Sequence, residues 1–406
     1  MNGIVLAYLD PGSGSALLGA VFALCGAFAF SAKSFFFRYV LGRKIATVKA
    51  NAGIAIFSEG KNYWGTFRPI VDELLRREID FSYYTMDVKD PALHIDNPHM
   101  FARLYDKDKV TSFRKLSSIK AKVLLATTPN IGTPGYPLAR SPNVARMVHV
   151  FHDPLADVST YMKGSLDHYD DVFLPGTFSE APIRALEQKR GLKKKTMHMC
   201  GLPYLDGYVS RLGSIKQEPV PGGKKAVIIA SSWGNKGILR VYGCDYVRDL
   251  IAAGFKVIVR PHPQSYNSER QFIEEVEKKV KSWGAEWDRN PDGLSSLARA
   301  DVMVSDTSGV RLDYAYLFAR PVITMKILID SSSELEAADL GESWTDDVAN
   351  EIGFEVDNVE MLVDAVKRAL SGNVKDIVTW RDAHCVNFGH AAVAVVDKLV
   401  ELEGQS

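Results

Sequence analysis

Two hydrophobic patterns divide the chain. Residues 15–32, SALLGAVFALCGAFAFSA, form an unbroken uncharged run. From about residue 51, short β-branched segments alternate with stretches of helical period. Apolar strands separated by amphipathic crossovers specify a mostly parallel sheet with helices on both faces. The pattern predicts strands at Gly53–Phe57, Phe81–Thr85, Lys122–Ala126, Met147–Phe151, Asp171–Leu174 and Met197–Cys200, with helices such as Thr66–Arg77 and Glu180–Lys189 between them. The polar, Pro- and Gly-rich stretch Gln217–Gly223 then interrupts the alternation and reads as a linker. Beyond it the pattern predicts strands at Ala226–Ala230, Phe255–Val259, Asp301–Val304 and Val322–Met325. Helices are predicted at Tyr242–Ala253, Ser268–Trp283, Val310–Phe318, Val359–Leu370 and Gly389–Leu402, with Gly254 as a C′ glycine. The expected organisation is α/β. An N-terminal Rossmann-like domain (51–215) and a C-terminal Rossmann-like domain with C-terminal helices (222–406) face a cleft behind a segment at 1–50.

That first segment points to a membrane. As a helix, residues 15–32 span ~27 Å, close to the ~30 Å hydrocarbon core. Lys33, Arg38, Arg43, Lys44 and Lys49 follow without an acidic residue among them, and Asp10 is the one charged side chain before them. The positive-inside rule then places the body on the cytoplasmic side of a single-pass anchor in the inner membrane. A signal peptide would carry a basic n-region, which this chain lacks. A buried Ala/Gly-rich core helix and an in-plane interfacial helix are the alternatives.

Composition narrows the partners. Lys+Arg and Asp+Glu both number 49, so bulk positive charge does not hold this protein on nucleic acid. The four cysteines are scattered, with no CxxC pair, which excludes a disulfide scaffold and fits a reducing compartment. No cluster of metal ligands has a recognisable spacing. A Mg2+ held by a diphosphate substrate would leave little trace in a sequence.

Chemistry concentrates where strands end, the place ligands occupy in open α/β sheets. Arg260-Pro261-His262-Pro263 follows one strand, and its two prolines stiffen a loop that presents a guanidinium and an imidazole. Ser305-Asp306-Thr307-Ser308-Gly309 lies between a strand and a helix, where it either caps the helix or binds an anion. Asp313 lies on that helix, as a solvated charge or an orienting group. His152-Asp153-Pro154 follows another strand, and histidine is the usual base near neutral pH. His149, three residues earlier in the strand, is expected on the opposite face. Ser58-Glu59-Gly60-Lys61-Asn62 either binds an anion or turns the chain, and it lacks P-loop spacing. Gly201-Leu202-Pro203-Tyr204-Leu205-Asp206 reads as an interdomain turn in which Asp206 caps.

Taken in order, these motifs resemble the CDP-glycerol glycerophosphotransferase family, the teichoic-acid primases and polymerases, over about residues 145–400. Asp171-Val172-Phe173-Leu174-Pro175-Gly176 and the closing Asn387-Phe388-Gly389-His390-Ala391-Ala392 add to the ordered set. The resemblance implies a GT-B type fold and transfer of a phosphoalcohol from a CDP-activated donor to a hydroxyl of a lipid-linked or polymeric acceptor, with CMP released. It makes His152 the general base. Arg260 and His262 would hold the donor pyrophosphate, with His262 stabilising the departing CMP. Thr307 and Ser308 would bind donor phosphate, Asp306 and Asp313 would complete that set, and Asp153, Asp206 and Asn387 would be accessory.

The chain departs from the family at three points. Asp153 replaces the glycine that usually follows the catalytic histidine, Gly309 replaces a serine, and Ala392 and Ala394 stand where Ser and Arg are common. A nucleotide-sugar glycosyltransferase and a non-catalytic nucleotide-binding envelope protein are therefore the competing expectations. A UDP-sugar 2-epimerase-like protein would share the fold.

Overall fold

The computed structural model describes residues 53–105, 117–215, 223–290, 292–327, 334–341 and 348–406. The Ser15–Ala32 run and residues 217–222 of the expected linker lie outside them. Among the described residues no helix is long and apolar enough to cross a membrane.

Seven parallel strands build the first sheet: β1 (Ile54–Ser58), β2 (Phe81–Thr85), β3 (Met100–Leu104), β4 (Ala121–Ala126), β5 (Val144–Val150), β6 (Asp171–Leu174) and β7 (Thr196–Met199). Their order is β3-β2-β1-β4-β5-β6-β7. Six parallel strands build the second: β8 (Ala226–Ser231), β9 (Lys256–Pro261), β10 (Glu286–Trp287), β11 (Val302–Ser305), β12 (Val322–Met325) and β13 (Gly353–Val356). Their order is β10-β9-β8-β11-β12-β13. In each sheet the winding reverses once, between β1 and β4 and between β8 and β11, and the crevice at such a reversal is where ligands bind.

Burial explains why these segments pair. Every residue of β1 and of β8 is buried. Alternation sends Ile54 and Ile56 to one face of the first sheet, beneath the Trp64–Arg76 helix, and Ala55 and Phe57 to the other. The core on that other face continues across both lobes, joining Leu124 and Phe151 of the first to Leu312 and Tyr316 of the second.

Several elements differ from the sequence expectation. Strands β3, β10 and β13 went unpredicted. They are outer strands with exposed or partly exposed positions, so they lack a continuous apolar run. The helix expected at Tyr242–Ala253 covers Tyr246–Ala252. The expected interdomain turn at Gly201–Asp206 is instead the start of a helix, Pro203–Leu212, with proline in its first turn and Tyr204 and Leu205 buried. A further helix, Ile377–His384, was not anticipated. The final helix, Ala391–Gln405, packs on the first lobe and not on the second. Its stripe Ala392, Val395, Val396, Leu399 and Leu402 shares a core with Ile54, Phe67, Ile70 and Leu74. A helical stripe docks wherever its apolar counterpart is, irrespective of distance along the chain.

Candidate active site

The carboxyl edges of the two sheets meet. The loop leaving β5 touches the turn leaving β11, so closely that a Cβ on Gly309 would lie 3.0 Å from Pro154 Cγ. Pro154 thus crowds the space a serine side chain would need at 309, one of the positions where the chain departs from the family.

On the first lobe, His152 stands two residues beyond β5, its ring edge-on to Tyr63 with centroids 4.9 Å apart. Burial lowers the imidazole pKa, while the Asp153 and Glu59 carboxylates pull it back up. Nδ1 is buried and has no hydrogen-bond partner among the described residues, so no protein group fixes which ring nitrogen carries the proton. A neutral imidazole is the form a base requires. Asp153 is turned to local use, because its Oδ1 accepts from Ala156 N at 3.0 Å. That bond closes the turn in which Ala156 has φ 43°.

Glu59 sits at the end of β1, and the sequence left its loop undecided. It accepts from the Tyr136 hydroxyl at 3.3 Å. Burial, then the Glu59 charge, push the Tyr63 hydroxyl up to about 12. A carboxylate, two tyrosines and the imidazole thus form one group at the end of the first sheet. His149 does not join it as a ligand. Its fully buried ring lies among Phe151, Tyr161 and Tyr169, and burial drops its pKa to about 3.

On the second lobe, the loop after β8 and the turn after β11 meet at Asp306. Its carboxylate accepts from Ser232 N at 2.8 Å, Ser232 Oγ at 2.7 Å, Ser308 N at 3.0 Å and Ile238 N at 3.2 Å. Burial raises this carboxyl and those four donors oppose the rise. With its oxygens so occupied, Asp306 clamps the 232–238 loop to the turn before the Val310–Phe318 helix instead of contacting a ligand. Thr307 and Ser308 beside it keep hydroxyls with no partner among the described residues. The N–H groups of Ser308, Arg311 and Leu312 already donate to Asp306, to Ser308 O and to Gly309 O, so it is the two hydroxyls that this turn offers to a ligand.

His262 is fixed by two hydrogen bonds. Gln264 N donates to its Nδ1 at 3.0 Å, and its own N–H donates to Ser231 O at 3.1 Å. With Nδ1 accepting, the proton of the neutral ring is on Nε2, a donor exposed at the carboxyl edge. Burial lowers its pKa and Asp306 partly restores it.

Arg260 is placed differently from its expected role. Nη1 donates to Asp288 Oδ2 at 2.5 Å and to Asn290 O at 2.8 Å, and only 13% of the side chain is exposed. The guanidinium holds the 288–290 loop and lies against Gly293, so its charge is spent on Asp288. Asp313 faces the first lobe, where it accepts from the Tyr204 hydroxyl at 2.7 Å. Burial, reinforced by Asp153, raises it to about 7 against that hydrogen bond.

Two accessory residues are structural. Asp206 accepts from Ala391 N at 3.1 Å and Ala392 N at 2.7 Å. It therefore caps a helix 185 residues away in sequence, not its own. The Asn387 amide donates to the carbonyls of Met199 and Cys200, both at 3.4 Å, from a left-handed backbone with φ 53°.

Residues 151–331 match the protein family described as CDP-glycerol:poly(glycerophosphate) glycerophosphotransferase, an enzyme family and the resemblance expected from the ordered motifs. The span runs from His152 through the Arg260–His262 loop and the Asp306–Ser308 turn. The fold is similar to that of the wall teichoic acid polymerase TagF, with TM-score 0.56 and 15% identity over 90% of this chain and 92% of that one. It is also similar to a TagF form soaked with CDPG, with TM-score 0.55 and 14% identity over 90% of this chain and 91% of that one. A UDP-GlcNAc 2-epimerase from Neisseria meningitidis, bound to UDP-GlcNAc, superposes with TM-score 0.52 and 12% identity over 87% and 99% of the two chains. These likenesses establish the GT-B-like pair of parallel sheets. No curated protein matches the chain in sequence.

Proposed function

We propose that this chain, with its glycerophosphotransferase match across both halves of the cleft, transfers a glycerol-phosphate-like group from a CDP-activated donor to a hydroxyl of a lipid-linked cell-envelope acceptor. The observation that supports the reading is that the matched span ends one strand of each sheet in an imidazole, His152 beyond β5 on the first lobe and His262 beyond β9 on the second, where Gln264 N donates to Nδ1 and leaves Nε2 as the donor.

The geometry supports the following chemistry. The acceptor hydroxyl gives its proton to His152 Nε2 as its oxygen attacks the β-phosphorus of the donor. The phosphoanhydride P–O bond breaks and its electron pair leaves with CMP. His262 Nε2–H donates to the departing phosphate, and the Thr307–Ser308 turn binds the same charge. Asp153 and Glu59 stabilise the imidazolium that forms on His152. This is positioning plus electrostatic stabilisation at a phosphoryl centre. The apolar 15–32 run, as a single-pass anchor with the body on the cytoplasmic side, would keep the cleft beside a lipid-linked acceptor and a cytoplasmic donor.

The test is CMP release by the detergent-purified full chain with CDP-glycerol, CDP-ribitol or UDP-sugars and a membrane extract as acceptor. CMP release that falls about 10²- to 10⁴-fold in His152→Ala is expected, the usual contribution of a general base. Release of UMP or UDP instead would replace the donor class. Nucleotide binding without release from any donor would make the chain a binding protein.

A further inference from the structure

We propose that Lys236 is the cation that receives the donor diphosphate; the inference rests on the nucleotide-donor reading above. A diphosphate carries two or more negative charges, and open parallel sheets bind ligands outside the carboxyl ends of their strands where the strand order reverses, which in the second sheet is between β8 and β11. The cations on that edge are largely committed. Arg260 is paired with Asp288, Arg240 with Glu269 while lying 3.7 Å over the Phe272 ring, Arg289 with Glu277, and Lys326 with Glu355. Arg311, on the first turn of the Val310–Phe318 helix, is buried. Among the described residues Lys236 is the exposed cation on this edge with no carboxylate partner.

Its position is fixed by the chain. Lys236 lies in the loop leaving β8, between the Arg260–His262 loop of β9 and the Asp306–Ser308 turn of β11, at the reversal of strand order. Asp306 holds both ends of the loop through Ser232 and Ile238. Gly237 is required for that closure, because a Cβ there would lie 2.1 Å from Ser232 O. The clamp that closes the loop is also the residue that binds Ser308 N and faces His262. The lysine is therefore borne on a loop fixed at both ends, leaving the strand that lies between those bearing the His262 loop and the Thr307–Ser308 turn. An ammonium is an adequate phosphate partner as a point charge.

The experiment measures binding of cytidine, CMP, CDP-glycerol and a UDP-sugar by calorimetry to the detergent-purified full chain, in wild type, Lys236→Met and Lys236→Arg. Lys236→Met is expected to weaken CDP-glycerol binding about 10- to 100-fold, the range for one lost charge-assisted contact, and to leave cytidine binding unchanged. Lys236→Arg should restore most of the loss. Wild-type affinity for CDP-glycerol in Lys236→Met overturns the assignment, as does an equal loss for cytidine and CDP-glycerol, which would mark a distorted loop. If the wild type binds the UDP-sugar in place of CDP-glycerol, the CDP reading fails, and a selective loss of UDP-sugar affinity in Lys236→Met would still uphold the lysine's role. Binding of none of the four overturns both.

Discussion

Asp313 offers a stability measurement that reads the cleft directly. Its carboxyl goes from an ordinary 3.8 to about 7, chiefly because burial disfavours the charge, with Asp153 adding to the effect. The folded state therefore holds one more proton than the unfolded chain between those pH values. Stability falls as pH rises through that window, with a slope of about 1.4 kcal/mol per pH unit, and stays low above it. Over roughly three units the full cost is ~4 kcal/mol near pH 8, and water reaching the half-buried carboxylate brings the expectation to ~2–4 kcal/mol. Asp313→Asn removes the titration and keeps an oxygen to accept from the Tyr204 hydroxyl. In urea unfolding of the full chain followed by tryptophan fluorescence at pH 4, 5, 6, 7 and 8, wild type and variant should coincide near pH 4. The variant should gain progressively towards pH 8. Other titrating groups cancel in that difference. A gap that stays constant with pH, or closes as pH rises, would refute the argument that burial holds this carboxyl protonated. A stability gain accompanied by lost turnover would show that the cleft retains a destabilising charge for its chemistry.

Two more outcomes complete the tests. Glu59→Gln takes away a negative charge that raises the His152 pKa, so the acid limb of kcat/KM against pH should move to lower pH; an unmoved limb would remove Glu59 from the electrostatics of the base. Deleting residues 1–32 should release the protein from the membrane to the soluble fraction, and continued sedimentation with membranes would reject the anchor as the means of attachment.

The local alternation of the chain determined much of this molecule. Four-to-six-residue apolar runs separated by amphipathic stretches specify buried parallel strands with crossover helices. Phe81–Thr85, Asp171–Leu174, Val310–Phe318 and Val322–Met325 follow from the pattern to the residue. The loops after those strands were legible as well, since proline pairs, hydroxyls and a histidine at a strand end carry their own chemistry. What each polar residue does was decided by tertiary structure. Asp206 caps a helix from the far end of the chain, Arg260 neutralises Asp288, and Asp306 spends its oxygens on four protein donors. Glu59 reaches the neighbourhood of His152 only because β1 and β5 flank β4 in one sheet. Outer strands such as Met100–Leu104 exist through pairing with a neighbour, which leaves little hydrophobic signal. Periodicity is a property of consecutive residues and survives in the sequence. A side chain's partner is a property of the folded backbone, and a carboxylate reads the same in the sequence whether it meets a ligand, a guanidinium or a helix end.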